Sequence, residues 1–149
     1  MRIVLDTNQL VRALARPPEF ATFVMAWASA RFTLVCSDEL LAEYEHVLSR
    51  TYIRSLIYPE SLRAFRNYLV DEIEVIELSA FPAICRDPDD DKVIATAVQG
   101  RADYLLTADE DIRAVEVHES LDRAGIQVTT MDEFIVQLDQ RTNPKGIRS

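Results

Sequence analysis

The chain opens on a short apolar run, Ile3-Val4-Leu5, that stops at Asp6-Thr7-Asn8. Residues 2–5 read as a strand and residues 7–15 as a helix, which Pro17-Pro18 ends. Phe20, Phe23, Val24, Trp27 and Ala28 then recur at i, i+3, i+4, i+7 and i+8, the spacing of a helix facing a core. Phe32-Thr33-Leu34-Val35 predicts a second strand. Ser37 suits the N-cap of the next helix because its hydroxyl can accept a free backbone N–H, and Asp38 and Glu39 suit the positive end of the helix dipole. That helix runs to about residue 49.

Residues 51–58 fit either a broken helix or a loop. Pro59 opens another helix, with Leu62, Phe65 and Leu69 on one face. Ile73-Glu74-Val75-Ile76 alternates as a strand does, and residues 79–89, with Pro82 and Pro88, read as loop. A helix over about 90–99 stops at Gly100, and a strand follows at 103–106. Gly125 introduces a last strand, Ile126-Gln127-Val128-Thr129, and Thr130 with Glu133 forms a capping box for the final helix. Strands alternating with helices predict an α/β fold: a mostly parallel sheet covered on both faces. There is no internal repeat and no linker long enough to separate a second domain. The 149 residues therefore divide into one domain over 1–140 and a polar tail over 141–149.

Composition narrows the class. Apolar residues make up 48% of the chain, enough for a sizeable core, and the lack of any low-complexity tract argues against disorder. No apolar run approaches the ~20 residues of a membrane span, and Asp6 interrupts the N-terminal run where a signal peptide would continue. Cys36 and Cys85 form no Cys-x-x-Cys pair and read as small core residues of a cytoplasmic protein. The net charge of −9 opposes unspecific attraction to nucleic acid, although clustered acids that bind a cation would account for part of it. The basic residues are fourteen arginines against two lysines. Arg50, Arg54, Arg63 and Arg66 concentrate in one stretch, which reads as a solvated helical face, a phosphate contact or a protein contact.

The acids carry the candidate chemistry. Asp6 ends the first strand, and Thr107, Asp109 and Asp111 follow the strand at 103–106. C-terminal strand ends are where open α/β sheets bind ligands. Leu40, Glu43 and Val47 are spaced i, i+3, i+7, so Glu43 lies in the apolar stripe of its helix. Asp91 shares a face with Ile94, Ala95 and Val98, while Asp89 and Asp90 read as capping or supporting acids. Each has a plain alternative: Asp6 as a helix cap, Asp91 as a dipole partner, Thr107 with Glu110 as a capping box. Four together are harder to assign to caps, since packed carboxylates repel one another unless a cation relieves them. Hard oxygen donors suit Mg²⁺ or Mn²⁺, and such a site can activate water against a phosphodiester. No Cys/His set has zinc spacing, and His46 and His118 read as surface residues.

At these residues the chain resembles the PIN-domain family, the fold of VapC-type toxins of toxin–antitoxin systems. The matching pieces are Val4-Leu5-Asp6-Thr7-Asn8, Ser37-Asp38-Glu39-Leu40-Leu41-Ala42-Glu43, Asp87-Pro88-Asp89-Asp90-Asp91-Lys92-Val93-Ile94-Ala95 and Leu105-Leu106-Thr107-Ala108-Asp109-Glu110-Asp111, in the family's order. The Asp-Pro-Asp-Asp-Asp segment is most similar to the PIN-family toxin branch distinct from the shortest VapC proteins. The resemblance implies an α/β/α sandwich around a five-stranded parallel sheet. It also implies a metal-dependent ribonuclease that cuts single-stranded regions of RNA. By it Asp6, Glu43, Asp91 and Asp109 become metal-site acids, Asp111 an additional acid, and Asn8 and Thr107 polar positions that orient the site. Homodimers and antitoxin complexes are the partners it implies.

Other classes fit less well. A structure-specific DNA nuclease needs extra elements to grip DNA, and 149 residues leave little room for them. A haloacid-dehalogenase-type phosphatase needs an acid two residues after Asp6, where Asn8 stands. A phospho-receiver domain wants paired acids before the end of the first strand. A catalytically silent metal- or partner-binding module remains the reading from outside the enzymes.

Overall fold

The structure, a computed structural model, describes residues 1–80 and 88–142. The chain order is β1 (Arg2–Leu5), α1 (Thr7–Leu14), α2 (Pro17–Ala28), β2 (Thr33–Ser37), α3 (Asp38–Leu48), α4 (Thr51–Leu56), α5 (Pro59–Glu72) and β3 (Ile73–Ile76). Then come α6 (Pro88–Gln99), β4 (Tyr104–Leu106), α7 (Val115–Arg123), β5 (Gln127–Thr129) and α8 (Met131–Thr142). All strand pairs are parallel, in the order β3-β2-β1-β4-β5. Ile3, Val4 and Leu5 are consecutive and fully buried, so both faces of the central strand are covered. The helices pack on those faces as an α/β/α sandwich. Phe23, Trp27, Phe32, Phe65 and Phe134 meet edge-to-face or tilted in the core between α2, α5 and α8. Among the described residues no helix is long and apolar enough to cross a membrane.

The apolar periodicity of α2 is consumed by this core: Phe20, Phe23 and Trp27 are buried. Residues 51–58, open between helix and loop in the sequence, form α4 as far as Leu56. Ser37 is the last residue of β2 and also the cap of α3, its hydroxyl accepting the Leu40 N–H at 3.2 Å. The Thr130/Glu133 capping box forms, with the Glu133 N–H on Thr130 Oγ1 at 3.2 Å. The expected loop over 79–89 ends sooner, because Pro88 is the first residue of α6, a position where its missing N–H leaves no bond unmade. Cys85, Pro82 and the rest of residues 81–87 lie outside the described residues, as do positions 143–149 of the expected tail. The apolar pattern of the sequence does not announce helix α7. Its apolar anchors are Val117 and Leu121, too few for the periodicity to stand out.

The order of strands creates a switch point. From β1 the chain builds outward to β2 and β3, then returns to place β4 on the other side of β1. In such sheets the crevice at the C-terminal ends of the two strands flanking the switch is the natural ligand position.

Candidate metal centre

Asp6 and Thr107 face each other across the switch point. Leu5 pairs with Leu106, and the Asp6 N–H continues the ladder onto the Leu106 carbonyl at 2.9 Å. The Thr107 hydroxyl then donates to Asp6 Oδ2 at 2.7 Å, both residues being buried. Asp6 stands at the N-cap of α1, yet its side chain makes no capping bond from there. Thr107 does not open a helix either. It accepts the Asp109 N–H at 3.1 Å, and Asp109 Oδ1 in turn accepts the Asp111 N–H at 2.8 Å. Asp109 is thus held half-buried in a turn just past β4.

Glu43 reaches this place from α3. Its Oε2 accepts the Thr7 hydroxyl, one residue on from Asp6. Its Oε1 lies 3.5 Å from Lys92 Nζ on α6. The side chain of Tyr44, buried beside it, donates to the Leu5 carbonyl and so ties α3 to the end of β1. Helix α6 precedes the parallel strand β4, so it starts at the C-terminal edge of the sheet. The Ser37–Thr96 hydroxyl contact of 2.8 Å fixes it against the end of β2. Asp91, next to Lys92 in its opening turns, is 5% exposed.

Burial pushes the Asp6 carboxyl up to about 6, with the charges of Glu43 and Asp109 adding to the rise. The Thr107 hydroxyl and the Thr7 N–H oppose it by stabilising the ionised form. Asp6 therefore feels the charges of both Glu43 and Asp109 through space. The remaining residues singled out in the sequence are more dispersed. Asn8 is exposed on α1, and Asp111 is half-buried in the turn after Asp109. The side chain of Asp90 lies outside the described residues. Arg54 donates to the Leu48 carbonyl at the end of α3, Arg66 pairs with Glu45 at 3.2 Å, and Arg63 stands 4.0 Å from Glu60. Arg50 is exposed at the N-cap of α4. His46 and His118 are exposed.

Two residues of the cluster were not singled out in the sequence, Thr7 and Lys92. Both act on Glu43, which is far from each in the chain, so no local spacing announces them.

Among the described residues no three Asp, Glu, His or Cys side chains already form a group able to hold a metal ion. The donor chemistry nonetheless fits Mg²⁺ or Mn²⁺, which take one or two carboxylates and complete their shell with water. Asp6 is buried at a cost that the Thr107 hydroxyl only partly offsets, and Glu43 lies close enough to raise that cost. Asp6 and Glu43 are the residues that could hold such an ion, with Asp109 acting on Asp6 through space and Asp91 buried in the opening turns of α6.

No curated protein matches the chain. Among solved structures, VapBC2 from Rickettsia felis bound to a DNA fragment from their promoter aligns with a TM-score of 0.53 at 17% identity. The alignment covers 87% of this chain and 98% of that one, a likeness of fold. The PIN domain family model matches residues 2–111, which contain β1 through β4 and all four candidate acids. The chain belongs to the PIN-domain family.

Proposed function

We propose that this protein is a Mg²⁺- or Mn²⁺-dependent endoribonuclease of the cytoplasm, the toxin of a toxin–antitoxin pair, cutting single-stranded regions of RNA. One observation carries the reading: a buried Asp6 at the switch point, raised to about 6 by desolvation and by Glu43 and Asp109. Such crowding is costly in the free protein and is what a divalent cation relieves. Family membership supports nuclease chemistry. The likeness of fold to VapBC2, bound to a DNA fragment from their promoter, supports the proposal of an antitoxin partner.

In this reading Asp6 and Glu43 would hold the ion, and Asp91 and Asp109 would add to the negative field around it. Bound there, a divalent ion would supply Lewis-acid chemistry for phosphodiester hydrolysis. The chain's own role is to keep the acids ionised and aimed. The Thr107 hydroxyl donates a hydrogen bond to Asp6, which favours its charged form, and the Thr7 hydroxyl donates one to Glu43, which fixes its rotamer.

The test is a cleavage assay on single-stranded RNA and on DNA of the same sequence, with Mg²⁺, with Mn²⁺ and with EDTA. We expect RNA cleavage that EDTA stops and that Asp6→Asn and Asp91→Asn abolish while folding normally. Cleavage by Asp6→Asn at the wild-type rate sinks the assignment of the site. Cleavage of DNA alone transfers the reading to a DNA nuclease. Homodimerisation and capture of the product of an adjacent gene are the expected associations, read by sedimentation and co-purification.

A further inference from the structure

Lys92 sits against Glu43, one of the candidate acids. Its ammonium is 3.5 Å from Glu43 Oε1, and the two side chains are 23% and 16% exposed. That makes it the most shielded of the described ion pairs, the others joining arginines to acids at open surface. The choice of residue is informative. Fourteen of the sixteen basic residues are arginine, and among the described residues Lys92 is the only lysine. A guanidinium is broad and planar, whereas an ammonium is a compact point charge that fits between carboxylates. Lys92 follows the buried Asp91 in sequence and contacts Glu43, whose charge acts on Asp6.

We propose that Lys92 is the resident counter-cation of this cluster, neutralising Glu43 when no divalent ion is bound and limiting how tightly one binds. The inference rests on the reading of the cluster as a metal site. The same positive charge that relieves the empty cluster repels an incoming cation. Removing it therefore has two effects of opposite sign, which a purely structural ion pair does not produce. The free protein loses stability, and the metal is held more firmly.

The experiment uses the full chain, stripped with EDTA, as wild type, Lys92→Met and Lys92→Arg. Methionine keeps the apolar stem and arginine keeps the charge. Thermal unfolding in EDTA reports the free state, and titration with Mn²⁺ followed by electron paramagnetic resonance reports affinity. We expect Lys92→Met to melt several degrees lower in EDTA yet to bind Mn²⁺ about tenfold more tightly, as unscreened charges at this range allow. Lys92→Arg should return affinity toward wild type. If Lys92→Met does not fold without metal, Lys92→Gln, which can still donate to Glu43, carries the same expectations. Lower stability with unchanged or weaker Mn²⁺ affinity overturns the inference and leaves the metal site standing. No Mn²⁺ binding by wild type overturns both.

Discussion

Asp6 shows how one side chain ties stability to pH. Its carboxyl is raised from 3.8 to about 6, so the folded protein binds this proton more tightly than the unfolded chain does. Between those two values the folded state holds more protons, and stability falls as pH rises through the window. The loss is complete above about pH 6 and amounts to roughly 3 kcal/mol if Asp6 acts alone. In Asp6→Asn the amide oxygen can still accept from Thr107, and the charge is gone. We therefore expect Asp6→Asn, in EDTA, to match wild type near pH 4 and to exceed it by 2–3 kcal/mol at pH 7, roughly the linkage value. Urea unfolding of both proteins across that range checks it, and a pH-independent difference contradicts it. Cys36 and Tyr44, also pushed upward by burial, stay neutral throughout and contribute no such slope.

Elements join in a repeated way. Helices α2, α6 and α7 each lead into a strand through the same cap, in which a backbone N–H reaches back five residues. The bonds are Arg31 N–H to the Ala26 carbonyl, Ala102 to Ala97 and Ile126 to Leu121, each at 2.9 Å. The residue before each donor lies in the left-handed region: Ala30 at φ 57°, Arg101 at φ 53° and Gly125 at φ 79°. Only the third is a glycine, the residue that takes this conformation without strain. Ala30→Gly and Arg101→Gly should each stabilise the fold by up to about 1 kcal/mol, because relief of that strain outweighs the added freedom of the unfolded chain. Gly100, one position earlier, does a different job. A Cβ there would lie 2.6 Å from the Thr96 carbonyl and 2.7 Å from Val35 Cγ1. Gly100→Ala should lower stability by about 2 kcal/mol, since the clash is partly with backbone and must push α6 off β2. Denaturant midpoints of the three variants separate these effects.

The same caps account for what the sequence makes legible. Gly100 signals the stop of α6 correctly, although the left-handed residue is Arg101. Ala30 gives no signal at all. Strands β1 and β4 are legible because a short apolar run that ends in acids fits a buried strand better than a helix or a loop, and their pairing follows from parallel topology. The capping box at Thr130 is legible because both partners lie within one turn. Lys92 is not, because its partner Glu43 is 49 positions away and only the packing of α3 on α6 joins them. Tyr44 is hidden for the same reason: its hydroxyl finds a backbone carbonyl, which has no sequence signature.

For the whole molecule the dominant fact is a net charge of −9, which opposes the binding of the RNA proposed as substrate. Arg54 and Arg66 are committed to Leu48 and Glu45. Arg63 and Glu60 are more than two-thirds exposed at 4.0 Å, a pairing that water weakens, and Arg50 is open to solvent. These two arginines are the ones able to change partner to phosphate. Replacing both by glutamine should raise KM for RNA several-fold, leave kcat near wild type and flatten the dependence of KM on salt. An unchanged KM at low and high salt assigns the pair to solvent or to a protein partner.

The bond between Thr107 and Asp6 spans 101 positions of the chain. Strand β1 is made first and β4 is made late, yet β1 lies between β2 and β4 in the finished sheet. A growing chain therefore carries Asp6 with one flank of β1 bare until β4 follows. A fragment that stops between residues 91 and 106 has three of the four acids but lacks the Thr107 hydroxyl that holds Asp6. The acid cluster is incomplete until β4 has been made and has joined β1, so the order of synthesis sets the moment at which its acids can act together.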